Sequence, residues 1–345
     1  MTADVVFTGC SISDGAPSPH PGGQRRLVTV KGKRIRTVDV HAHCVVPAAE
    51  ALALNHQSDN QWPNMVVTEG RLREMDAMGI DVEALSINPF WYREDRDRAT
   101  EIVRIQNDSL AEVCAQHPDR LVAFASVALQ FPDLAVQQLE HAVKKLGLRG
   151  AAVGASVAGS EFSDPKFHPF WAKCQELDVL IFLHPQSTPD LKKRLSGNGW
   201  LSNVIGNPLD TTIALSHLIM EGTLDRFPGL KICAAHGGGY LPSYRHRLDH
   251  GCRIKPSQCN PAIKLKKKPS EYVRDLYVDS LVFTPEALRY LAGEIGADRI
   301  CIGTDHPIPW NENPVDHILA TDLTDEQKIA ILGGTAAKLL KLRDS

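Results

Sequence analysis

From residue 36 onward the chain alternates between short β-branched apolar runs and longer segments with apolar residues at helical spacing. The strand-like runs are 36–43 (RTVDVHAH), 82–89 (VEALSINP), 121–128 (LVAFASVA), 148–157 (LRGAAVGASV), 179–184 (VLIFLH), 231–236 (KICAAH), 275–281 (DLYVDSL) and 299–305 (RICIGTD). Helical patterns fall at 68–78, 95–117, 132–146, 164–177, 208–226, 284–295 and 324–340. Their punctuation agrees with the pattern. Thr68 is placed to cap the first helix and Gly79 to end it, 95–117 stops before Pro118, and 132–146 opens on Pro-Asp and stops at Gly147. Eight strands alternating with helices is the count of a (β/α)8 TIM barrel. A doubly wound sheet shares the alternation, but no G-x-G-x-x-G runs from a strand into a helix here. Ahead of the barrel, 11–24 (SISDGAPSPHPGGQ) reads as a loop, and LVTV, Lys31-Gly32-Lys33 and RIRTV as a small hairpin. The expected organisation is an extension over 1–35 and an α/β barrel over 36–345, with no internal repeat.

Composition narrows the setting. The residues are 43% hydrophobic and 23% charged, which suits a globular chain with a sizeable core. A net charge of −3, from 38 basic and 41 acidic residues, obliges no nucleic-acid partner. The run KLKKK at 264–268 reads as a solvated loop. No apolar run approaches the ~20 residues of a membrane span. The start MTADVVFTGCSISD lacks a basic segment and makes a poor signal peptide. The 8 Cys are scattered, with no C-x-x-C, and read as reduced, mostly buried thiols of a cytoplasmic protein.

The chemistry sits where the strands end. In a barrel, catalytic groups come from the C-terminal ends of different strands. Those ends here carry His41 and His43, His184 in FLHP, His236 in AAHGGG, Asp279 in VDS and Asp305 in GTDHP. Residues two apart on a strand share a face, so His41 and His43 project together toward the barrel axis. A divalent cation satisfies both imidazoles through their lone pairs. His184 and Asp305 close a shell of three His and one carboxylate, leaving a position for water or substrate. That donor set suits one Zn²⁺ best, with Mn²⁺, Fe²⁺ and Co²⁺ compatible. A second ion usually needs a bridge such as a carboxylated Lys on the fourth strand, and LRGAAVGASV has none. His236, followed by a Gly run, reads as a general acid/base, or else as a core histidine satisfied by backbone. Asp279 reads either as a substrate contact or as a group that only orients a neighbour. His306, next to Asp305, is expected to face the other way.

Four motifs together resemble the amidohydrolase superfamily: D-x-H-x-H at 39–43, L-H-P at 183–185, A-H-G-G-G at 235–239 and G-T-D-x-P at 303–307. Within it, 71–86, 210–239 and 269–283 resemble the aminocarboxymuconate-semialdehyde decarboxylase branch, and the resemblance runs from about residue 36 to 342. It implies a distorted TIM barrel, usually dimeric, with one divalent metal on His41, His43, His184 and Asp305. The position of His236 serves acid/base chemistry on bound water or substrate. An Arg of the partner subunit, in the helix after A-H-G-G-G, grips a substrate carboxylate; the matching residue is Arg247. One feature departs. The branch's name enzyme carries a second Arg shortly before R-x-R-E-M-D, whereas residues 44–70 here hold no Lys or Arg, offering His56, Gln57, Asn60, Gln61 and Trp62. A small aromatic or phenolic monocarboxylate fits that change, with Trp62, Trp91, Tyr92 and Trp200 placed to flank a ring.

The expected function is therefore a metal-dependent, non-oxidative decarboxylase of an aromatic or ring-derived carboxylic acid. The alternative is a metal-dependent hydrolase or hydratase acting on a ring-cleavage product or other carbonyl compound. A non-catalytic metal-binding scaffold is a third reading, and the complete ligand set argues against it.

Overall fold

The computed structural model describes residues 25–54, 62–186, 189–310 and 313–343. The loop expected over 11–24, together with Cys10, His56, Gln57, Asn60 and Gln61, lies outside the described residues. Each of the eight strand-like runs forms a strand, shorter than its apolar run. They are β1 (Val38–His43), β2 (Val82–Ser86), β3 (Leu121–Ala123), β4 (Gly150–Val153), β5 (Leu180–Leu183), β6 (Lys231–Ala234), β7 (Tyr277–Asp279) and β8 (Ile300–Cys301). All pair in parallel, as one ladder β1-β2-β3 and another β4-β5-β6-β7-β8.

Two single bridges close these ladders into a ring. Ala125, just past β3, bridges Ala151 of β4, and Ala42 of β1 bridges His306 past β8. Around the second seam, His43 N–H donates to the His306 carbonyl at 2.7 Å and Asp305 N–H to the His41 carbonyl at 2.8 Å. The barrel thus closes at the strand end that carries the titratable groups. A hairpin pairing Thr29–Val30 with Lys33–Arg34 precedes β1.

The helices follow their sequence signals with some local differences. Helix α1 is Glu69–Met78, and Gly79 ends it with φ 78°. Thr68 sits at its N-cap position without capping it, because its hydroxyl donates to Asn64 Oδ1 at 2.9 Å. Helix α2 is Arg96–Gln116, where Asp95 accepts from Arg98 N–H at 2.9 Å. The next helices are α3 (Pro132–Lys144), α4 (His168–Leu177), α5 (Gly206–Met220), α6 (Leu241–Ile254) and α7 (Pro285–Ile295). The run expected over 208–226 breaks after α5, at Gly222 with φ 72°, and restarts as Thr223–Arg226. The last helical run, Asp325–Leu339, contains a wide π turn at Ala330–Gly334. There a Cβ on Gly333 would sit 2.0 Å from the Arg36 carbonyl oxygen, so glycine is what lets this turn press on the chain entering β1.

Two apolar layers hold the barrel. The inner one contains Val38, Val40, Val82, Phe124, Leu180 and Phe182, with Leu339 and Leu340 packed against it. The outer one lies between strands and helices and includes Ile102, Leu139, Trp171 and Leu218. Burial of Val38 and Val40 inside creates a problem of phase. Strict alternation would then turn Ala42 inward and His41 and His43 outward. The chain solves this with a bulge: Asp39 opposes Glu83, but Ala42 opposes Leu85, so β1 carries one extra residue. Asp39 Oδ1 accepts from the His41 N–H at 2.9 Å across the bulge. The histidines face the axis because the strand's phase is shifted just before them.

One expectation is overturned. Cys252, in the last turn of α6, is bonded to Cys259, so the eight cysteines are not all reduced. The short turn Pro256–Gln258 after α6 brings the second cysteine back to the first. Cys44, Cys174, Cys233 and Cys301 are buried free thiols, and Cys114 is a partly buried one. No described helix is long and apolar enough to cross a membrane.

Candidate metal centre

The bulge in β1, the end of β5 and the turn after β8 bring His41, His43, His184 and Asp305 together. One ligand atom from each lies within 4.8 Å of the others, and all four residues are buried. The hydrogen bonds at the back of each ring decide which atoms face the centre. His41 Nδ1–H donates to Asp279 Oδ2 at 2.6 Å. Ser86 Oγ spends its proton on the Ala42 carbonyl at 3.1 Å, so its lone pair accepts from His43 Nδ1–H at 3.0 Å. Both Nε2 atoms therefore turn toward the centre, and they stand 3.1 Å apart. Asp305 Oδ1 lies 3.1 Å from one and 3.0 Å from the other without a hydrogen bond to either. The His184 ring is 4.5 Å from the His43 ring, and its Nδ1 is buried without a partner among the described residues.

Three imidazoles and a carboxylate converging on one buried point form a donor set that a divalent cation satisfies. The electrostatics agree. Burial opposes charge on His41, yet Asp305 and the hydrogen bond to Asp279 draw it up to about 10, so the centre calls for positive charge. Burial and the neighbouring imidazoles His43 and His41 push His184 well below its ordinary value. The three nitrogens and one oxygen therefore fit a divalent metal ion.

Backbone geometry is spent on this aim. His236 and Asp305 both adopt left-handed φ, 57° and 62°, which non-glycine residues rarely do. Behind Asp305, Asp39 accepts from Thr304 Oγ1 at 2.5 Å, which links the β1 bulge to the turn after β8. Behind His236, Asp279 Oδ2 accepts its N–H at 2.9 Å, and Asp279 Oδ1 accepts from Gly237 at 2.8 Å and Leu281 at 3.1 Å. Gly239 finishes the turn with φ 66°, where a Cβ would meet the Pro208 carbonyl oxygen at 2.2 Å.

His236 stands beside the ligand cluster rather than in it. Its ring is 5.4 Å from His41 and 5.3 Å from His184. Its Nδ1 is buried and has no partner among the described residues. Burial, then the charge of His41, pushes it down to about 4, so the imidazole is neutral near pH 7.

The other expected site residues fall in different places. Asp279 is fully buried beneath the ligands, its oxygens taken by four donors, and it reaches His41 and His236 rather than the cavity. Trp91 is fully buried in the outer core, with its indole N–H on the Val127 carbonyl at 2.9 Å. Tyr92 is buried beside it, while Phe90 lines the cavity instead. That cavity, of about 310 Å³, opens above His43, His184 and Asp305 and is also walled by Trp62 and Trp200. Trp200 stacks on Trp310 with ring centroids 5.4 Å apart. Arg247 is exposed on α6 and does not line the cavity of its own chain. It makes no hydrogen bond or ion pair among the described residues, whereas Arg245 on the same helix is buried against Glu294 at 2.6 Å. His306 does face away from the ligands, bonding Glu83 at 2.6 Å and Glu74 at 2.8 Å.

Sequence reasoning passed over Asp39, Ser86, Arg71 and Glu83 as supports of the site. Asp39 stood inside a quoted motif and Glu83 at a strand start; burial of a charged residue in an apolar run was the signal available for both.

An amidohydrolase family model matches residues 38–342. The chain is 31% identical over 276 residues to the 2-amino-3-carboxymuconate-6-semialdehyde decarboxylase of Dictyostelium discoideum, covering 79% of this chain and 76% of that one. It is 34% identical over 288 residues to the gamma-resorcylate decarboxylase of Rhizobium radiobacter, covering 80% of this chain and 88% of the relative. Among solved structures, a dihydroxybenzoic acid decarboxylase from Polaromonas, with bound manganese and the inhibitor 2-nitroresorcinol, superposes with TM-score 0.78 at 29% identity, covering 90% and 98%.

Proposed function

The chain belongs to the amidohydrolase family, and we propose that it is a metal-dependent, non-oxidative decarboxylase of a small aromatic carboxylic acid. The observation that carries this reading is the floor of the cavity. Four ligand residues converge there, with an unpartnered neutral imidazole beside them and aromatic walls above. The names of the decarboxylase relatives support it.

One divalent ion held by His41, His43, His184 and Asp305 would supply Lewis acidity toward the substrate's carboxylate or a neighbouring hydroxyl. The donor set suits Zn²⁺, and the manganese of the Polaromonas relative supports Mn²⁺ equally. Asp279 holds His41 in the tautomer that faces the centre and anchors the backbone of His236. Trp62, Phe90 and Trp200 flank the ring and exclude water from its face. The bond between ring and carboxylate breaks, CO₂ leaves, and the ring carbon takes a proton. His236 is the group placed to deliver that proton.

Incubation of the Mn²⁺- or Zn²⁺-loaded protein with hydroxylated benzoic acids in ¹⁸O-water tests the reading. The expected products are CO₂ and one equivalent of the phenol, with no label in the phenol. Label incorporation without CO₂ would mark a hydrolase or hydratase. No CO₂ from any acid of the panel would remove the proposal.

The same reading makes the enzyme a two-fold dimer in which Arg247 of each copy reaches the other's cavity. Its exposure, its lack of a partner and the exposed Tyr244 nearby on α6 support this. A guanidinium grips a carboxylate through two parallel hydrogen bonds. Arg247→Ala and Asp305→Ala subunits, each inactive alone, should regain up to about a quarter of wild-type activity when mixed, because a hybrid dimer holds one intact site. No recovery after verified subunit exchange would confine Arg247 to its own chain. The buried free thiols Cys44, Cys174, Cys233 and Cys301 support a cytoplasmic setting.

A further inference from the structure

We infer that the cavity selects a hydroxylated aromatic monocarboxylate through a wall of neutral carboxamides, Asn203 and Asn207 hydrogen-bonding a ring hydroxyl and the same wall rejecting a second carboxylate. This rests on the decarboxylase reading above and names its substrate class.

Trp200, Asn203 and Asn207 all line the cavity. Asn203 and Asn207 are four residues apart along a nearly continuous helical segment, Leu201–Val204 leading through Ile205 into α5, so they share one face, and Trp200 stands at the N-cap just ahead of them. Asn88, from the chain leaving β2, adds a third carboxamide. All three are half-buried, and their side chains have no hydrogen-bond partner among the described residues. The contrast is Gln186, whose amide also lines the cavity but already donates to the Pro89 carbonyl. A free carboxamide offers both an N–H donor and a carbonyl acceptor, which matches a hydroxyl that donates and accepts.

The wall lacks charge of the opposite kind. No Lys or Arg lines the cavity, and the segments outside the described residues contain none in the sequence. The metal centre and Arg247 of a second copy account for one carboxylate. A second carboxylate would lose its hydration against amides with no cation to offset the cost. A cavity of about 310 Å³ with Trp62, Phe90 and Trp200 on its walls suits one ring.

The test compares Mn²⁺-loaded wild type with the N203L/N207L double variant. The probes are 2-hydroxybenzoate, its 3-, 4-, 5- and 6-hydroxy derivatives, and 2-hydroxybenzene dicarboxylates. Both kcat/KM for CO₂ release and Kd by calorimetry are read. One or more dihydroxybenzoates should be preferred over 2-hydroxybenzoate by about tenfold, the value of one well-made hydrogen bond. The preference should collapse toward one in the double variant. Dicarboxylates should be at least about 100-fold poorer, and N207K, which adds a cation, should narrow that gap. A preference that survives in N203L/N207L, dicarboxylates accepted as readily as monocarboxylates, or no binding of any probe would overturn the inference. If the binding preference behaves as expected but no CO₂ forms, the decarboxylase reading fails while the ligand selectivity stands.

Discussion

Two histidine–carboxylate clusters lie on opposite sides of the ends of β1 and β8, one buried toward the barrel axis and one reaching the surface at α1 through Glu74. On the axis side are His41, His43, His184 and Asp305. On the other side, His306 bonds Glu83 at 2.6 Å and Glu74 at 2.8 Å, while Arg71 donates to Glu83 at 2.8 Å and to the His43 carbonyl at 2.7 Å. Both clusters hold a histidine raised far above its ordinary value. His41 reaches about 10 and His306, with burial opposing and Glu83 and Glu74 prevailing, about 9. Titration alone would not tell them apart. Hydrogen-bond accounting does. In the α1-side cluster each His306 nitrogen and each Glu83 oxygen has a partner, and one Arg, one His⁺ and two carboxylates balance. In the axis cluster, His184 Nδ1 and Asp305 Oδ1 have none among the described residues, and the Nε2 atoms of His41 and His43 meet at 3.1 Å. The first is a closed ion-pair network that braces the strand carrying His43. The second is complete only with a cation. Buried lone pairs left over after every available donor is assigned mark the functional cluster.

The largest effect should come from removing an axis ligand. Asp305→Ala should lose the bound ion and reduce turnover roughly 10³-fold or more. Elemental analysis showing full metal occupancy in this variant would break the distinction between the clusters. His236→Ala comes next. It should retain the ion, being outside the ligand set, and lose about 10²–10⁴-fold in kcat. Metal loss comparable to Asp305→Ala would make His236 a ligand instead.

Asp279→Asn sharpens the comparison from beneath, because it removes the acceptor that sets the His41 tautomer. Metal affinity should weaken about 10–100-fold, read by competition with a chelator. An unchanged affinity would mean that His41 needs no orienting partner.

The smallest effect on chemistry is expected from His306→Gln, which should keep the ion and most of the activity while losing stability on the order of 2 kcal/mol. The pH dependence identifies the cause. The folded value of His306 lies above its ordinary 6.5, so its contribution is complete below pH 6.5 and disappears as pH rises through about 9. In metal-free protein, wild-type denaturation midpoints should therefore fall across that window and those of the Gln variant should not. Parallel curves for the two proteins would show that the α1-side network is not held by this charge.

Much of this architecture was legible along the chain. The eight β-branched runs became eight strands, because a strand buried on both faces must be apolar through and through. The four ligands could be picked out because a barrel gathers the C-terminal ends of its strands at one rim. That His41 and His43 share a face followed from the two-residue period. Which face they share did not, because one extra residue in β1, visible only against the register of β2, inverts the phase. Side-chain destinations were equally out of reach in places. Trp91 and Phe90 are neighbours, yet the indole packs in the outer core and the phenyl lines the cavity, since the turn after β2 decides which way each points. Asp279 reads as a substrate contact until four donors are seen around it. Cys252 and Cys259 meet because a short turn ends α6 where it does.

What the sequence determined by itself, then, is periodicity, element count and the chemical inventory at each strand end, since these depend on local spacing and on a fold rule that holds for any barrel. The tertiary structure decided register, tautomer and access, because each depends on groups far apart in the chain. The Asp279 that orients His41 lies 238 residues away from it, and the Glu83 that engages His306 lies 223 away. No local pattern carries such a distance. Only closure of the barrel, which sets β8 beside β1, brings those groups within a hydrogen bond of each other.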